Sequence, residues 1–128
     1  MATVLVADDD PDTRLLVRTV LGYAGHRVLE AKDGGEALGI AAEHRPQLIL
    51  LDLSMPSMSG PEFLRALRAD ARTSSTPVAL YTATVMNPML RDFIEIYGIC
   101  DVIPKPSGPA ELLASVERAL KHAGDATA

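Results

Sequence analysis

Four short apolar runs in this sequence end in side chains that can do chemistry. Asp8, Asp9 and Asp10 follow the run at residues 3–7, and Asp52 directly follows Leu51. Thr82 and Ala83 close the run at 78–81, and Lys105 with Pro106 follows the run at 100–103. Carboxylates brought together repel, which raises their pKa values unless a cation neutralises them. A hard divalent ion with oxygen ligands, Mg²⁺ or Mn²⁺, suits such a set. The charges of Asp8, Asp9 and Asp52 are then matched by those of Mg²⁺ and Lys105. A phosphoryl group on Asp52 would bring further negative oxygens, which the metal, Lys105 and the Thr82 hydroxyl are able to meet.

Those side chains converge only if the runs are parallel strands of one sheet. The runs at 3–7, 26–31, 48–51, 78–81 and 100–103 are short, and the third is continuously apolar, as a strand covered on both faces would be. The second is more mixed, which suits a sheet edge. Amphipathic stretches separate them. Asp10-Pro11 is an N-cap followed by Pro at the first helical position, with Leu15, Leu16, Thr19, Val20 and Tyr23 at helical spacing and Gly25 as the stop. Further helices open at Asp33-Gly34-Gly35, near Pro61, at Asn87-Pro88 and at Gly108-Pro109. The third carries Phe63, Leu64, Leu67 and Ala71 on one side, and residues 122–128 read as a fraying tail. Five strands alternating with five helices predict a doubly wound parallel α/β sheet. In such sheets ligands bind outside the carboxyl ends of the strands, where these side chains lie.

Composition narrows the function classes. The chain has 128 residues, 12 Lys plus Arg against 17 Asp plus Glu, and a net charge of -5, which argues against a free-standing nucleic-acid binder. The single cysteine, Cys100, excludes an internal disulfide framework and fits a reducing compartment. No apolar run approaches the roughly 18 residues of a membrane span, and no signal peptide is evident. The expectation is a soluble, cytoplasmic, single domain.

Taken together, Val-Ala-Asp8-Asp9-Asp-Pro-Asp, Leu-Leu-Asp52-Leu-Ser-Met-Pro56-Ser-Met-Ser-Gly60, Thr82-Ala83 and Gly98-Ile-Cys-Asp101-Val-Ile-Pro-Lys105-Pro106 resemble the receiver domain of two-component response regulators. The resemblance runs from Val4 to about Leu120. It implies a flavodoxin-like (βα)5 sandwich with strand order 2-1-3-4-5, covering residues 1–122, followed by the tail. It implies that Asp52 is the phosphoacceptor, taking a phosphoryl group from a sensor histidine kinase or a histidine phosphotransfer protein. Asp9 would bind Mg²⁺ directly and Asp8 mainly through water, with Asp52 and the backbone carbonyl of Ser54 completing the metal site. Lys105 would pair with phosphoryl oxygens, Thr82 would move to hydrogen-bond them, and the Lys105–Pro106 peptide would be cis. The domain would catalyse its own phosphorylation and dephosphorylation and no other reaction. It would act on a downstream protein, without contacting nucleic acid or membrane, and a homodimer through the helix four, strand five and helix five face is one arrangement the resemblance allows.

Three positions depart from the family pattern. Val102 stands where an aromatic residue usually couples to the threonine's movement, and alternation should point Tyr81 to the opposite face, making it a poor substitute. Ser59 and Ser107 replace an acidic and an aromatic residue without touching the chemistry. Ser54 and Thr84 occupy positions that tune dephosphorylation in the family; both are small and polar, which predicts modest autodephosphorylation. Taken singly, Asp10 reads as a helix cap and Asp12 as a first-turn acid favoured by the dipole. Cys100 reads as a small buried hydrophobe, His26, His44 and His122 as surface residues, and Met55 and Met58 as packing for the loop.

Other function classes fit less well. An aspartyl-phosphate phosphatase wants a second acid two residues after its nucleophile, where this chain has Ser54. A flavin-binding module wants a phosphate loop after strand one, where this chain has acids. A degenerate receiver, used only for binding, would not need the intact acids and lysine. Because the sequence stops after the fifth helix, the expectation is a stand-alone regulator or a receiver excised from a longer protein.

Overall fold

The computed structural model describes residues 1–53, 55 and 58–127, with the backbone alone for 124–127. The elements alternate: β1 (Thr3–Ala7), α1 (Pro11–Tyr23), β2 (Arg27–Ala31), α2 (Gly34–His44), β3 (Leu48–Leu51), α3 (Gly60–Ala69), β4 (Val78–Thr82), α4 (Pro88–Tyr97), β5 (Asp101–Pro104) and α5 (Pro109–Thr127). All four strand pairings are parallel, in the order β2-β1-β3-β4-β5. The mixed second run lies at an edge, and the continuously apolar third is central and buried throughout.

Strand alternation divides the core into two layers. Leu5, Ala7, Ile49, Leu51, Val78 and Leu80 face Ala37, Ala41, Phe63, Leu64, Leu67 and Leu90 of α2, α3 and α4. Val4, Val6, Leu48, Leu50, Ala79, Tyr81 and Ile103 face Val17, Leu21, Leu112, Val116 and Ala119 of α1 and α5. Each fully buried Leu, Ile, Val or Phe stabilises the fold by about 1.5–3 kcal/mol of transfer free energy, and so holds the strands in register.

The helix starts follow their caps. Asp10 accepts the Asp12 N–H at 3.0 Å, Asp33 the Glu36 N–H at 2.8 Å, and Asn87 the Leu90 N–H at 2.9 Å. Ser59 caps α3, where its hydroxyl also donates to the Glu62 carboxylate at 3.1 Å. Gly98 ends α4 in the left-handed region, at φ 65°. Gly34 permits a close approach: a Cβ there would stand 2.8 Å from Met58 Cβ, so Met58 can lie against α2. Met55 is buried and Met58 half-buried in that packing.

Three local expectations are corrected. The helix α5 does not fray near residue 122 but runs to Thr127, because Ala123 is buried and continues the face of Leu112, Val116 and Ala119. The helix α3 stops at Ala69, so Ala71 is not on it; Asp70 leaves the helix with extended backbone and turns onto Arg72. His26 is not a surface residue. Its Nδ1 accepts the Ala2 N–H at 3.1 Å and its Nε2 lies 3.5 Å from the Glu117 carboxylate, so α5 covers the ring, whereas His44 and His122 are exposed. Among the described residues no helix is long and apolar enough to cross a membrane.

Candidate functional site

The acidic set is built by three neighbouring strand ends. β1 delivers Asp8 and Asp9, and β3 delivers Asp52, whose N–H donates to Ala7 O at 3.0 Å across the parallel pair. One oxygen from each of Asp8, Asp9 and Asp52 lies within 4.8 Å of the others. Asp8 and Asp52 are buried and Asp9 is exposed, so the cluster has a wet side and a dry side. Asp10 is drawn away from it to cap α1 and is held below the usual carboxylate range, chiefly by the Asp12 backbone N–H.

Lys105 enters from β5. Its backbone N–H donates to Thr82 O at 3.0 Å, and the following peptide bond to Pro106 is cis. Its Nζ sits 2.6 Å from Asp8 Oδ2 and 3.5 Å from Asp52 Oδ2. Burial pushes the Asp8 carboxyl up, and the hydrogen bond from Lys105 only partly offsets it. Burial alone would lower Lys105, but its bonds and charges from Asp8 and Asp52 more than reverse this and keep the ammonium protonated. A buried carboxyl whose charge is not fully compensated, with two more carboxylates in reach, has the donor chemistry of a hard divalent cation site. Asp8, Asp9 and Asp52 therefore fit Mg²⁺ or Mn²⁺. Ser54, expected to add a carbonyl ligand and to tune dephosphorylation, lies outside the described residues.

Thr82 is buried at the end of β4, where its hydroxyl lies 3.0 Å from that of Thr84 and accepts the Thr84 N–H at 3.1 Å. The threonine expected to move and the position expected to tune the rate are thus in direct contact. Both border a groove of about 410 Å³, together with Val85, Met86, Val102 and Lys105. Val102 packs with the Leu80 layer and Tyr81 with the opposite layer, so strand alternation does separate them.

One residue at the site escaped sequence reasoning. Arg14, one turn into α1, donates from its guanidinium to the Asp8 carbonyl at 2.7 Å and lies 3.5 Å from Glu30, which Arg18 also binds at 3.0 Å. The available signal was the four-residue spacing of Arg14 and Arg18, facing an acid on the neighbouring edge strand. Cys100 is half-buried, its Sγ 3.9 Å from Ala119 O, and burial pushes its thiol up to about 11, which leaves it a protonated packing group.

Comparisons with known proteins agree with this arrangement. The sequence profile described as "Response regulator receiver domain" matches residues 4–117. The chain is 32% identical over 120 residues to Protein PilH of Pseudomonas aeruginosa, covering 94% of this chain and 98% of that one. It is 34% identical over 122 residues to the phosphate regulon transcriptional regulatory protein PhoB of the same organism, covering 95% of this chain but 53% of PhoB. It thus spans about half the length of PhoB and of several other relatives it matches. The chemotaxis protein CheY4 of Vibrio cholerae superposes with a TM-score of 0.85 at 34% identity, covering 93% of this chain and 98% of that one.

Proposed function

The chain belongs to the response regulator receiver domain family, and from that premise we propose that it is a phosphoacceptor signalling module whose Asp52 takes a phosphoryl group from a partner's phosphohistidine. The observation that carries this reading is the Lys105 ammonium 2.6 Å from Asp8 and 3.5 Å from Asp52 beside three converging carboxylates. In the reaction an Asp52 carboxylate oxygen forms a bond to phosphorus as the bond from phosphorus to the partner's imidazole nitrogen breaks. Lys105 meets the phosphoryl oxygens, and the buried end of the site excludes water from that side. Asp8, Asp9 and Asp52 would hold Mg²⁺ or Mn²⁺, which would supply charge stabilisation to the transferring oxygens. Thr82 leaves Thr84 to hydrogen-bond the phosphoryl group, and this exchange reports the modification.

The donor is a sensor histidine kinase or a histidine phosphotransfer protein in the cytoplasm, and the readout is a protein contact. The face around α4 suits that role: Leu90 is the one buried side chain of this helix, while Met89 and Ile96 on it and Val85 before it stand exposed. The same face, with β5 and α5, is where a second copy would bind. All these groups lie between β1 and α5, and that stretch forms the receiver unit. A purely binding, unphosphorylated module is disfavoured by the complete acid and lysine set, and a phosphatase by serine at position 54.

The test is acetyl phosphate with and without Mg²⁺, read by intact mass. Wild type gains one phosphoryl group when Mg²⁺ is present, and Asp52→Asn gains none. Equal labelling of the two proteins would end this reading. The phosphorylated form should outlive a second, since no carboxylate or amide at Thr84 or Ser54 orients an attacking water.

A further inference from the structure

The Lys105 ammonium has a second kind of neighbour besides its carboxylates: it lies 5.3 Å from the centroid of the Tyr81 ring. We propose that Tyr81 is a positioning residue for Lys105, its ring face holding the ammonium in the site while the charged partners of that ammonium change.

The placement follows from the sheet. Tyr81 is buried among Val4, Val6, Ile103 and Leu112, on the side of the sheet covered by α1 and α5. It pairs with Ile103 in the β4–β5 register, and Thr82 pairs with Pro104, so Lys105 leaves β5 one step past the tyrosine. The Lys105 backbone is tied there by its hydrogen bond to Thr82 O, and the long side chain reaches Asp8 across the ends of β4 and β3. The ring and the carboxylate therefore hold the same nitrogen.

The physical role differs from that of the acids. A lysine stem carries about 2 kcal/mol of rotamer entropy, so an ammonium with ionic partners alone is free to swing when one of them changes charge. A ring face attracts a cation through its quadrupole whatever the state of Asp52. This proposal rests on the phosphoacceptor reading, in which Lys105 gives up part of its bond to Asp52 for phosphoryl oxygens. A filler role for Tyr81 predicts that any apolar side chain of similar volume would serve; the positioning role requires the ring.

The experiment compares wild type with Tyr81→Phe, Tyr81→Leu, Lys105→Ala and the Tyr81→Leu, Lys105→Ala double variant. Tyr81→Met is held in reserve, should Tyr81→Leu not fold. The Lys105 Hε resonances should be shifted upfield by the ring current in wild type and Tyr81→Phe, and should lose that shift in Tyr81→Leu. The rate of Asp52 labelling by acetyl phosphate with Mg²⁺ should stay within about twofold for Tyr81→Phe and fall about 3- to 10-fold for Tyr81→Leu, the range of a partly desolvated cation–π contact. In the Lys105→Ala background Tyr81→Leu should cause no further loss. Unshifted Hε resonances in wild type, an unchanged rate in folded Tyr81→Leu, or a full loss in the Lys105→Ala background would each overturn the proposal. If wild type takes no label at Asp52 while the ring-current shift is present, the phosphoacceptor reading has failed and the hold of Tyr81 on Lys105 stands.

Discussion

Two half-buried cations sit at opposite ends of the sheet, and their partners differ in kind. Lys105, at the carboxyl end, is held by the carboxylates of Asp8 and Asp52. Arg68, near the end of α3, donates to main-chain carbonyls: Tyr97 O at 3.2 Å, Ser74 O at 3.3 Å and Thr76 O at 2.5 Å. It thereby ties the last turn of α4 to the segment between α3 and β4. Burial pulls the Arg68 pKa down, whereas the Asp8 and Asp52 charges outweigh burial at Lys105 and raise it. Carboxylates can trade a cation for a metal ion or a phosphoryl group, because side chains and charge states change at small cost. Carbonyls fixed in a packed backbone cannot. The first arrangement suits a site that changes state and the second a hinge that does not.

Removing each cation should separate the two roles. Arg68→Ala leaves three carbonyls without their donor and should cost about 2–4 kcal/mol of unfolding free energy in a denaturant titration, while the folded variant takes phosphoryl label within about twofold of wild type. A labelling defect as large as the stability loss would erase the distinction. Asp8→Asn should act in the other direction on stability. Burial disfavours the charged Asp8 carboxyl, so the neutral variant should melt about 4 °C higher in EDTA, yet lose most of its Mg²⁺-dependent labelling.

Smaller effects sharpen the comparison. Lys105→Met removes the ammonium that competes for Asp8 and Asp52, so calorimetry should find Mg²⁺ bound about 3- to 10-fold more tightly, at little cost to the fold. The weakest signal belongs to Asp70, at the Arg68 end. Its side-chain hydrogen bond with Arg72, and then the Arg72 backbone N–H, hold its pKa at about 2, below the ordinary aspartate value. The unfolded chain takes up this proton first as pH falls, so the contribution is complete above about pH 4 and lost as pH drops toward 2. Acid titrations of wild type and Asp70→Asn should diverge across that window, with the variant flatter.

Much of the fold and the acid set was legible because both depend on local patterns. Strand alternation, the caps at Asp10, Asp33 and Asn87, and acids placed directly after apolar runs are short-range features. Parallel topology then brings the strand ends together by rule. The Tyr81 face was also legible, since alternation depends on nothing beyond the strand. What Tyr81 touches was not, because the contact depends on where a four-carbon side chain from another strand comes to rest.

The sequence by itself determined the five alternating strands and helices, the helix starts, and the set Asp8, Asp9, Asp52, Thr82 and Lys105 at the strand ends. Only the tertiary structure decided the burial of His26 under α5, the run of that helix to Thr127, the reach of Arg14 to the Asp8 carbonyl, and the ring beneath Lys105. The division has one physical cause. Backbone periodicity and capping are settled within a few residues, whereas the ends of long side chains go wherever distant elements leave an acceptor, a ring or a covering face.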